Sequence, residues 1–317
     1  MDFWAVTLAG GVSYGLLLFM LSAGLALVYG LQGVLNFAHA ALYMLGAYVA
    51  QALAQRVGFW WALGLAPLLV GTLAAGFEWA VLRRIRAKNA GASHLPELLA
   101  TFGLAYVVQE AVQLVWGRGT LDFQPPPGLQ GAALVLLRDA SGALHWVWGD
   151  APAALCAAAA ACTPLPATRA FIAALALLML ALLALLARTR AGLLLLAART
   201  QPQMVQALGH RLPLLHTLVF GAGAALAALA GVAGGCTFAT EPQMAADVGG
   251  LAFVVVALGG ARSVVGTLAA SLLIGVLQTA AVAAPAAVPG AQFAPLLPYA
   301  LLAAVLLARP QALAGRR

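Results

Sequence analysis

The chain has 317 residues, of which 64% are hydrophobic and only 8% are charged, and its mean hydropathy is +0.98. A soluble domain carries about 25% charged residues, so this composition excludes a soluble globular protein and predicts a surface that faces lipid. The net charge of +7 does not indicate nucleic-acid binding, because the basic residues adjoin apolar runs and form no stripe interleaved with aromatic side chains.

Nine apolar runs follow one another along the chain, and each of them predicts a helix. A helix that crosses a membrane needs about 20 mostly apolar residues, and it satisfies its own backbone hydrogen bonds. The runs lie near 5–30, 36–55, 59–82, 97–117, 168–187, 214–235, 249–260, 264–283 and 293–308. The predicted fold class is therefore all-α, a polytopic membrane protein of about eight or nine transmembrane helices in one domain, 1–317. The run at 249–260 is short for a crossing, which leaves a half-helix or a re-entrant segment open.

The connection between the first two runs is very short, about five residues from Leu31 to Leu35. Either the turn is tight, or one of the two runs is a broken or re-entrant helix that lines a protein-enclosed cavity. If all nine runs cross, the N-terminus lies outside, whereas one crossing fewer here would put it inside. The start Met1-Asp2-Phe3 lacks the positive leader of a signal peptide, so we expect the first run to be retained as a span.

Basic residues collect in a few connecting segments, which predicts the orientation of the chain. Segments 83–96 and 188–213 and the tail from Arg309 carry most of the arginines. Positively charged loops stay in the cytoplasm, so we place these segments there. The longest connection, 118–167, contains three prolines in a row and several aspartates, and we predict that it is an external loop. Within it, Ala153 to Ala161 predicts a short interfacial or surface helix.

The sequence contains no convincing pattern for catalysis, metal binding or ATP binding. Cys156, Cys162 and Cys236 are odd in number and lack metal-ligand spacing, so they predict neither a disulfide framework nor a zinc site. The stretch Gly11–Gly15 matches the G-x-S-x-G nucleophile pattern, but it lies inside an apolar helix, where small residues four apart serve close packing. Lys88, the only lysine, follows no P-loop glycines, so any ATP hydrolysis belongs to another subunit.

Polar side chains inside the apolar runs mark a candidate path for a solute. Asn36 and His39 lie at the junction of the first two runs, and leaving such groups unpaired in lipid costs several kcal/mol. They therefore face either a cavity or a neighbouring helix in a polar packing patch. Glu110 is a carboxylate deep in its run, which indicates either a functional group or a hydrogen bond to an adjacent helix.

The segment 188–213 contains a second candidate site. Pro202 suits the first turn of a short helix, and Gly209 suits its end. Met204, Ala207 and Leu208 follow at i, i+3 and i+4, which gives one apolar stripe. A short amphipathic helix beyond the membrane either docks into a groove of a partner protein or lies on the lipid surface.

Four blocks of residues, in order over most of the chain, carry a resemblance to a known family. The blocks are Asn36–His39 with Tyr43–Tyr48; Leu99–Leu104; Arg188–Gly192, Arg199, Ala207–Gly209 and Ala227–Gly234; and Phe253–Gly260 with Ser263–Thr267. Together they resemble the branched-chain amino acid ABC transporter permeases of the LivH type. The loop 118–167 has no match, and Ala40-Ala41 stands where the family usually carries Gly-Glu, which puts the substrate class in doubt.

The resemblance implies a permease subunit of an ATP-binding-cassette importer for branched-chain or related amino acids, although similar proteins move urea or short amides. It implies a LivM-type permease partner, two cytoplasmic ATPase subunits that bind ATP, and a periplasmic substrate-binding protein. It places the chain in the bacterial cytoplasmic membrane as a multi-pass transport subunit with no cofactor, no metal and no enzyme activity of its own.

Two sets of residues follow from the resemblance and the patterns together. The expected translocation path contains Asn36, His39, Tyr43 and Glu110. The expected ATPase contact contains Arg190, Gly192, Arg199, Met204, Ala207, Leu208 and Gly209. Two alternatives stay open: an ion-coupled secondary transporter, in which backbone carbonyls can bind sodium, and a membrane-embedded enzyme, which needs a polar catalytic cluster.

Overall fold

Helices make up most of the chain in the computed structural model, which describes residues 2–88, 94–139, 143–150, 153–159, 161–260, 263–283 and 291–308. The helices are α1 Asp2–Gln32, α2 His39–Val57, α3 Phe59–Phe77, a π-helix Glu78–Leu82, α4 Arg83–Lys88, α5 Leu95–Trp116, α6 Ala153–Ala158, α7 Ala167–Arg188, α8 Arg190–Thr200, α9 Pro202–Ala207, α10 Leu212–Gly235, α11 Met244–Gly259, α12 Val264–Val282 and α13 Leu297–Ala308. Each of the nine predicted runs coincides with a helical stretch, and the run 59–82 covers both α3 and the π-helix. This agreement confirms the predicted helical membrane fold.

Six helical stretches of the described residues are long and apolar enough to cross a membrane. They are Val6–Gln32, Phe59–Lys88, Leu95–Trp116, Ala167–Arg188, Leu212–Gly235 and Val264–Val282. Met244–Gly259 and Phe293–Ala308 are shorter apolar helices, and α2 has 19 residues but carries more polar side chains. The tail after residue 308 and Arg262, which the orientation also used, lie outside the described residues.

The interior of the bundle is formed by α1, α2, α10 and α11, and α12, most of whose side chains are not buried, packs closely against α1 at glycines. A Cβ atom on Gly15 would lie 2.8 Å from the Ser271 carbonyl oxygen and 2.9 Å from the Leu272 Cα atom of α12. A Cβ atom on Gly11 would lie 2.7 Å from the Val276 Cα atom. Gly11 and Gly15 therefore act as the small packing residues that the sequence predicted.

The two basic segments of the described chain lie at the same end of the bundle, which we call the inner end. The Arg86 side chain of α4 contacts His216 in the first turns of α10. Leu31 near the end of α1 packs against the cluster that contains Val205 and Leu212. The opposite, outer end holds the start of α1, the end of α12 and the segment between α5 and α7. This grouping agrees with the predicted orientation.

The orientation predicts which compartment labels each end. We expect a cysteine at Lys88→Cys to react only with a reagent added from the cytoplasmic side, and a cysteine at Arg118→Cys to react only from outside. Labelling of intact cells against opened membrane vesicles measures this, and the native free thiol, Cys236, is buried. Labelling of position 88 from outside would overturn the topology.

The connection between α1 and α2 is a re-entrant break, which settles one of the alternatives left open by the sequence. Residues 33–38 are not helical, and the His39 Nε2 atom, at the start of α2, lies 2.9 Å from the Leu21 carbonyl oxygen of α1. The His39 ring also lies against Gly24. Because Gly24 precedes Gln32 by eight residues, α2 begins about 12 Å above the inner end of α1. Since α2 still runs to the outer end, the break removes no crossing, and the start of α1 stays at the outer end.

The segment 118–167 is not a simple loop, because it contains a three-stranded antiparallel sheet that the sequence analysis missed. Its strands are β1 Ala132–Arg138, β2 Leu144–Trp148 and β3 Ala161–Pro166, in the order β2-β1-β3. Leu136 pairs with Trp146 and with Thr163. The strand β1 is apolar on both faces, so it lacks the alternating pattern by which a sequence reveals a half-buried strand. The short helix predicted at 153–161 is present only over Ala153–Ala158, as α6, because Ala161 already begins β3.

The prediction that the cysteines form no disulfide is wrong for two of them. Cys156 in α6 and Cys162 in β3 form a disulfide, with their Cα atoms 5.3 Å apart. The short helix turns the chain back into the strand, which brings the two residues together although nothing in their spacing fixes the pairing. Cys236 is free and buried, as expected for a residue that fills the core.

Candidate functional site

The break between α1 and α2 holds two buried polar side chains. Asn36 is 2% exposed and His39 is 1% exposed. The Asn36 Oδ1 atom accepts a hydrogen bond from the Ala38 N–H at 3.0 Å, and His39 Nε2 donates to the Leu21 carbonyl oxygen, which can only accept. Within the described residues, Asn36 Nδ2 and His39 Nδ1 have no hydrogen-bond partner. These side chains fix the start of α2 and keep spare hydrogen-bonding capacity at mid-depth.

The break is held against α5 by a backbone hydrogen bond. The Phe37 N–H donates to the Thr101 hydroxyl of α5 at 3.3 Å, and that hydroxyl donates to the Leu98 carbonyl oxygen. The hydroxyl therefore supplies a partner for a backbone N–H that the broken helix leaves free. This hydrogen bond links α5 directly to the break.

Of the other two predicted path residues, Tyr43 is buried inside the bundle and Glu110 is exposed on its surface. Tyr43, one turn after His39, is 2% exposed, and its backbone and hydroxyl contact Gly231 and Gly234 of α10. Glu110 lies on the exposed side of α5, and no described residue forms a hydrogen bond or ion pair with it. The structure therefore brings Asn36, His39 and Tyr43 together along the start of α2 and leaves Glu110 apart from them.

The predicted ATPase contact is a surface of α9 at the inner end. Gly209 has a φ of +86°, which suits a glycine after a helix end. Met204 is 59% exposed and Leu208 is 76% exposed, whereas Val205 is buried against the bundle. The apolar stripe Met204-Ala207-Leu208 thus faces away from the subunit, as a docking surface requires.

The other predicted coupling residues form the turn between α7 and α8 and the cavity beside it. The Gly192 N–H donates to the Thr189 hydroxyl at 3.3 Å, and a Cβ on Gly192 would lie 2.8 Å from the Ala187 Cα atom. Gly192 and Arg199 both line a cavity of about 240 Å³ among α1, α7, α8, α10 and α12, while Arg190 is exposed. Glycine is therefore required at 192 by the sharpness of the turn.

An arginine-centred cluster at the inner end was missed by the sequence analysis. The Arg86 guanidinium forms ion pairs with Glu78 and with Glu97, whose Oε2 atom lies 3.1 Å from the Arg86 Nε atom. The same guanidinium contacts His216, and the Thr217 hydroxyl donates to Glu78. The Glu78 side chain is fully buried, and only 9% of the Glu97 side chain is exposed.

This Arg86 cluster joins four elements: the π-helix, α4, the first turn of α5 and the first turns of α10. Glu78 and Arg86 are eight residues apart, which is not a spacing at which helix neighbours pair, so no sequence rule connects them. A π-helix commonly marks a functional position, and here it carries Glu78. Among the described residues, no three His, Cys, Asp or Glu side chains are arranged as metal ligands.

Comparison with known proteins places the chain among transport permeases. The family described as branched-chain amino acid transport system / permease component matches residues 7–308. The high-affinity branched-chain amino acid transport system permease protein LivH of Escherichia coli K12 is 28% identical over 314 residues, which cover 96% of this chain and 94% of that protein. LivH of Salmonella typhimurium is 28% identical over 313 residues, covering 96% and 94%. BraD of Pseudomonas aeruginosa, with the same description, is 27% identical over 316 residues, covering 98% and 95%. No solved structure matches the chain.

Proposed function

The chain belongs to the family of permease components of branched-chain amino acid transport systems, and we propose that it forms the path for branched-chain or related amino acids together with a LivM-type permease. It is a transport subunit of an ATP-binding-cassette importer, a multi-pass membrane protein and not an enzyme. The proposed assembly adds two ATPase subunits, which bind the ATP, and a periplasmic binding protein that delivers the substrate. The membrane is the bacterial cytoplasmic membrane, and urea or short amides are the alternative substrates.

The observation that carries the coupling role is the exposed apolar stripe of α9. Met204 and Leu208 stand out from the inner end, at the surface that cytoplasmic ATPase subunits would reach. An apolar helix face inserted into a groove is a common mode of docking. Gly192 and Arg199, beside the cavity, and Gly209 would set the position of this helix, and Arg190 would meet the ATPase at the rim of the contact.

The connections of α9 support a route by which its movement would reach the path. Only residues 208–211 separate α9 from α10, and the first turns of α10 meet the Arg86 cluster. That cluster includes Glu97 of α5, one turn before Thr101, which bonds to the Phe37 backbone. A rigid-body displacement of α9 on closure of the ATPases would thus shift α10, α5 and the break together. Asn36, His39 and Tyr43 lie at the receiving end of that route.

The substitution Leu208→Asp tests the coupling role in an importer reconstituted with its own partner subunits. The wild-type importer should take up leucine only when ATP is available to the ATPases. We expect Leu208→Asp to keep ATP hydrolysis and the membrane fold but to lose at least about 90% of uptake, because a carboxylate in an apolar groove must be desolvated. Uptake of labelled leucine and phosphate release, measured on the same vesicles, give the two rates.

A matched control lies on the same short helix. Gln206 faces away from the stripe and is also exposed, so Gln206→Asp adds the same charge without touching the docking surface and should transport normally. Normal uptake by Leu208→Asp would end the docking proposal. Wild-type uptake that persists without the ATPase subunits and collapses with an ion gradient would end the importer proposal in favour of a secondary transporter.

A further inference from the structure

A row of aromatic side chains begins at the break between α1 and α2 and is exposed on the outside of the subunit. The ring centroid of Phe37 lies 6.0 Å from that of Phe102 and 5.2 Å from that of Phe253. The Phe102 centroid in turn lies 5.0 Å from that of Tyr106. The exposed fractions are 38% for Phe37, 48% for Phe102 and 55% for Tyr106. We call Phe37, Phe102, Tyr106 and Phe253 the aromatic row.

The aromatic row continues along α5 to a carboxylate. Phe102, Tyr106 and Glu110 follow one another at i, i+4 and i+8, so they lie on one face of α5. Glu110 lies about 22 Å from the inner end of α5 and about 9 Å from its outer end, which is inside the hydrocarbon layer. Val107 and Leu114 stand at i−3 and i+4 from Glu110, so these two exposed side chains border it on the same surface of α5.

Two features exclude lipid from the face that carries the aromatic row. A charged side chain within the hydrocarbon layer costs about 2.5–3.5 kcal/mol or more, so Glu110 is expected to face protein or water. The non-helical backbone of residues 33–38 reaches about 12 Å into the layer beside Phe37. Irregular backbone at that depth is tolerated only where it is buried in protein or lines a water-filled cavity. The exposed side of α7 has neither feature and suits lipid, since residues 170–187 are all apolar and include Leu177, which is 59% exposed.

We propose that the aromatic row is a gate on the translocation path between this chain and its partner permease, and that Glu110 is the polar group on the outer side of that gate. The proposal rests on the function proposed above and adds the residues that meet the solute. Packed rings exclude water and so close a path by dewetting. The solute that passes has an apolar side chain, which contacts the rings, and an ammonium group, which is attracted to the carboxylate and to the ring faces.

Two positions at the same depth, one on α5 and one on α7, separate this proposal from its alternatives. In the assembled importer with Cys236→Ala, single cysteines are introduced as Tyr106→Cys or Leu177→Cys and treated with a membrane-impermeant thiol reagent. A thiol reacts with such reagents as the thiolate, which requires water. We therefore expect position 106 to react at least about tenfold faster than position 177, and to change its rate when the ATPases are trapped with nucleotide. Equal rates, or faster reaction at 177, would overturn the proposal.

A second measurement reads the gate directly. Vesicles that contain the importer with Phe102→Ala are preloaded with leucine, and efflux without ATP is followed. Removal of one ring should raise the leak at least about tenfold, because the constriction then admits water. Leu177→Ala, the control on the exposed side of α7, should leave efflux at the wild-type rate. An unchanged leak for Phe102→Ala, or an equal leak for both variants, would count against the gate.

The two proposals fail in different ways. If the wild-type importer shows no ATP-dependent uptake of leucine, the proposed substrate is wrong, yet rapid labelling at 106 and not at 177 would still locate a water-filled path on this face. If the wild-type importer takes up leucine but position 106 is as inert as 177, the importer proposal stands and the aromatic row is not on its path.

Discussion

We expect Arg86→Met to lower the free energy of unfolding by about 3–5 kcal/mol, because removal of one partner from a buried ion pair leaves uncompensated charge. Two carboxylates depend on this guanidinium: Glu78, of which 0% of the side chain is exposed, and Glu97, of which 9% is exposed. Methionine retains the length and apolar stem of the side chain, so the loss reports the charge and its hydrogen bonds. Denaturation of the purified subunit in mixed micelles, followed by circular dichroism, measures it.

Three further variants define the cause. Arg84 lies two residues away on the same short helix and is exposed, so Arg84→Met should change stability by less than about 0.5 kcal/mol. Arg86→Lys keeps the charge but loses the planar guanidinium that serves two carboxylates. Its free energy of unfolding should therefore fall between those of Arg86→Met and Arg84→Met. Adding Glu78→Gln to Arg86→Met should recover part of the loss, since it removes one unpaired buried charge. If Arg86→Met proves as stable as Arg84→Met, the Arg86 cluster does not hold the inner end together.

Gly231→Leu should destabilise the subunit by about 3 kcal/mol or more, because overpacking at a helix contact costs most where the obstructing atoms are backbone. A Cβ on Gly231 would lie 2.9 Å from the Tyr43 carbonyl carbon and 3.2 Å from the Ala47 nitrogen. Neither atom can rotate away as a side chain can, so α2 and α10 must separate. We expect little monodisperse protein in gel filtration after detergent extraction.

The control for this prediction is a glycine of another helix that faces open space. A Cβ on Gly64 of α3 meets none of the described atoms within 4 Å, so Gly64→Leu adds the same side chain to the membrane-facing surface without a collision. It should be extracted in wild-type yield. A wild-type elution profile for Gly231→Leu would show that α2 and α10 do not pack as closely as the structure has them.

Those features of the fold that depend on local sequence were predictable. Each apolar run forms a helix because length and hydropathy decide that choice within the run, and the basic segments at 83–88 and 188–213 indicate their common end through charge alone. The exposed stripe of Met204 and Leu208 follows from a period of 3.6 residues. Asn36 and His39 stand out because polar groups inside an apolar run require partners, although the sequence did not say that the partner would be the Leu21 carbonyl.

What the sequence analysis missed depends on contacts between distant residues. Glu78 meets Thr217, and Arg86 meets His216, only after α10 has packed against the π-helix and α4, more than a hundred residues along the chain. The strand β1 lacks an alternating pattern because its less buried face is also apolar, and the pairing of Cys156 with Cys162 depends on how α6 meets β3. Phe37 and Phe253 are ordinary apolar residues in the sequence, and only the fold places their rings together.

The glycine contacts of the interior also determine where this subunit can change shape. At Gly15 and Gly231 the neighbouring backbones touch, so there is no layer of side chains between these helices that could repack into a second arrangement. Side chains that exchange rotamers are what allow packed helices to shear, and here the hub of α1, α2, α10 and α12 has none at these crossings. The freedom lies in the rim, in α5, α7 and α13, of whose side chains few are fully buried. The hub therefore turns as one piece, and the rim yields around it.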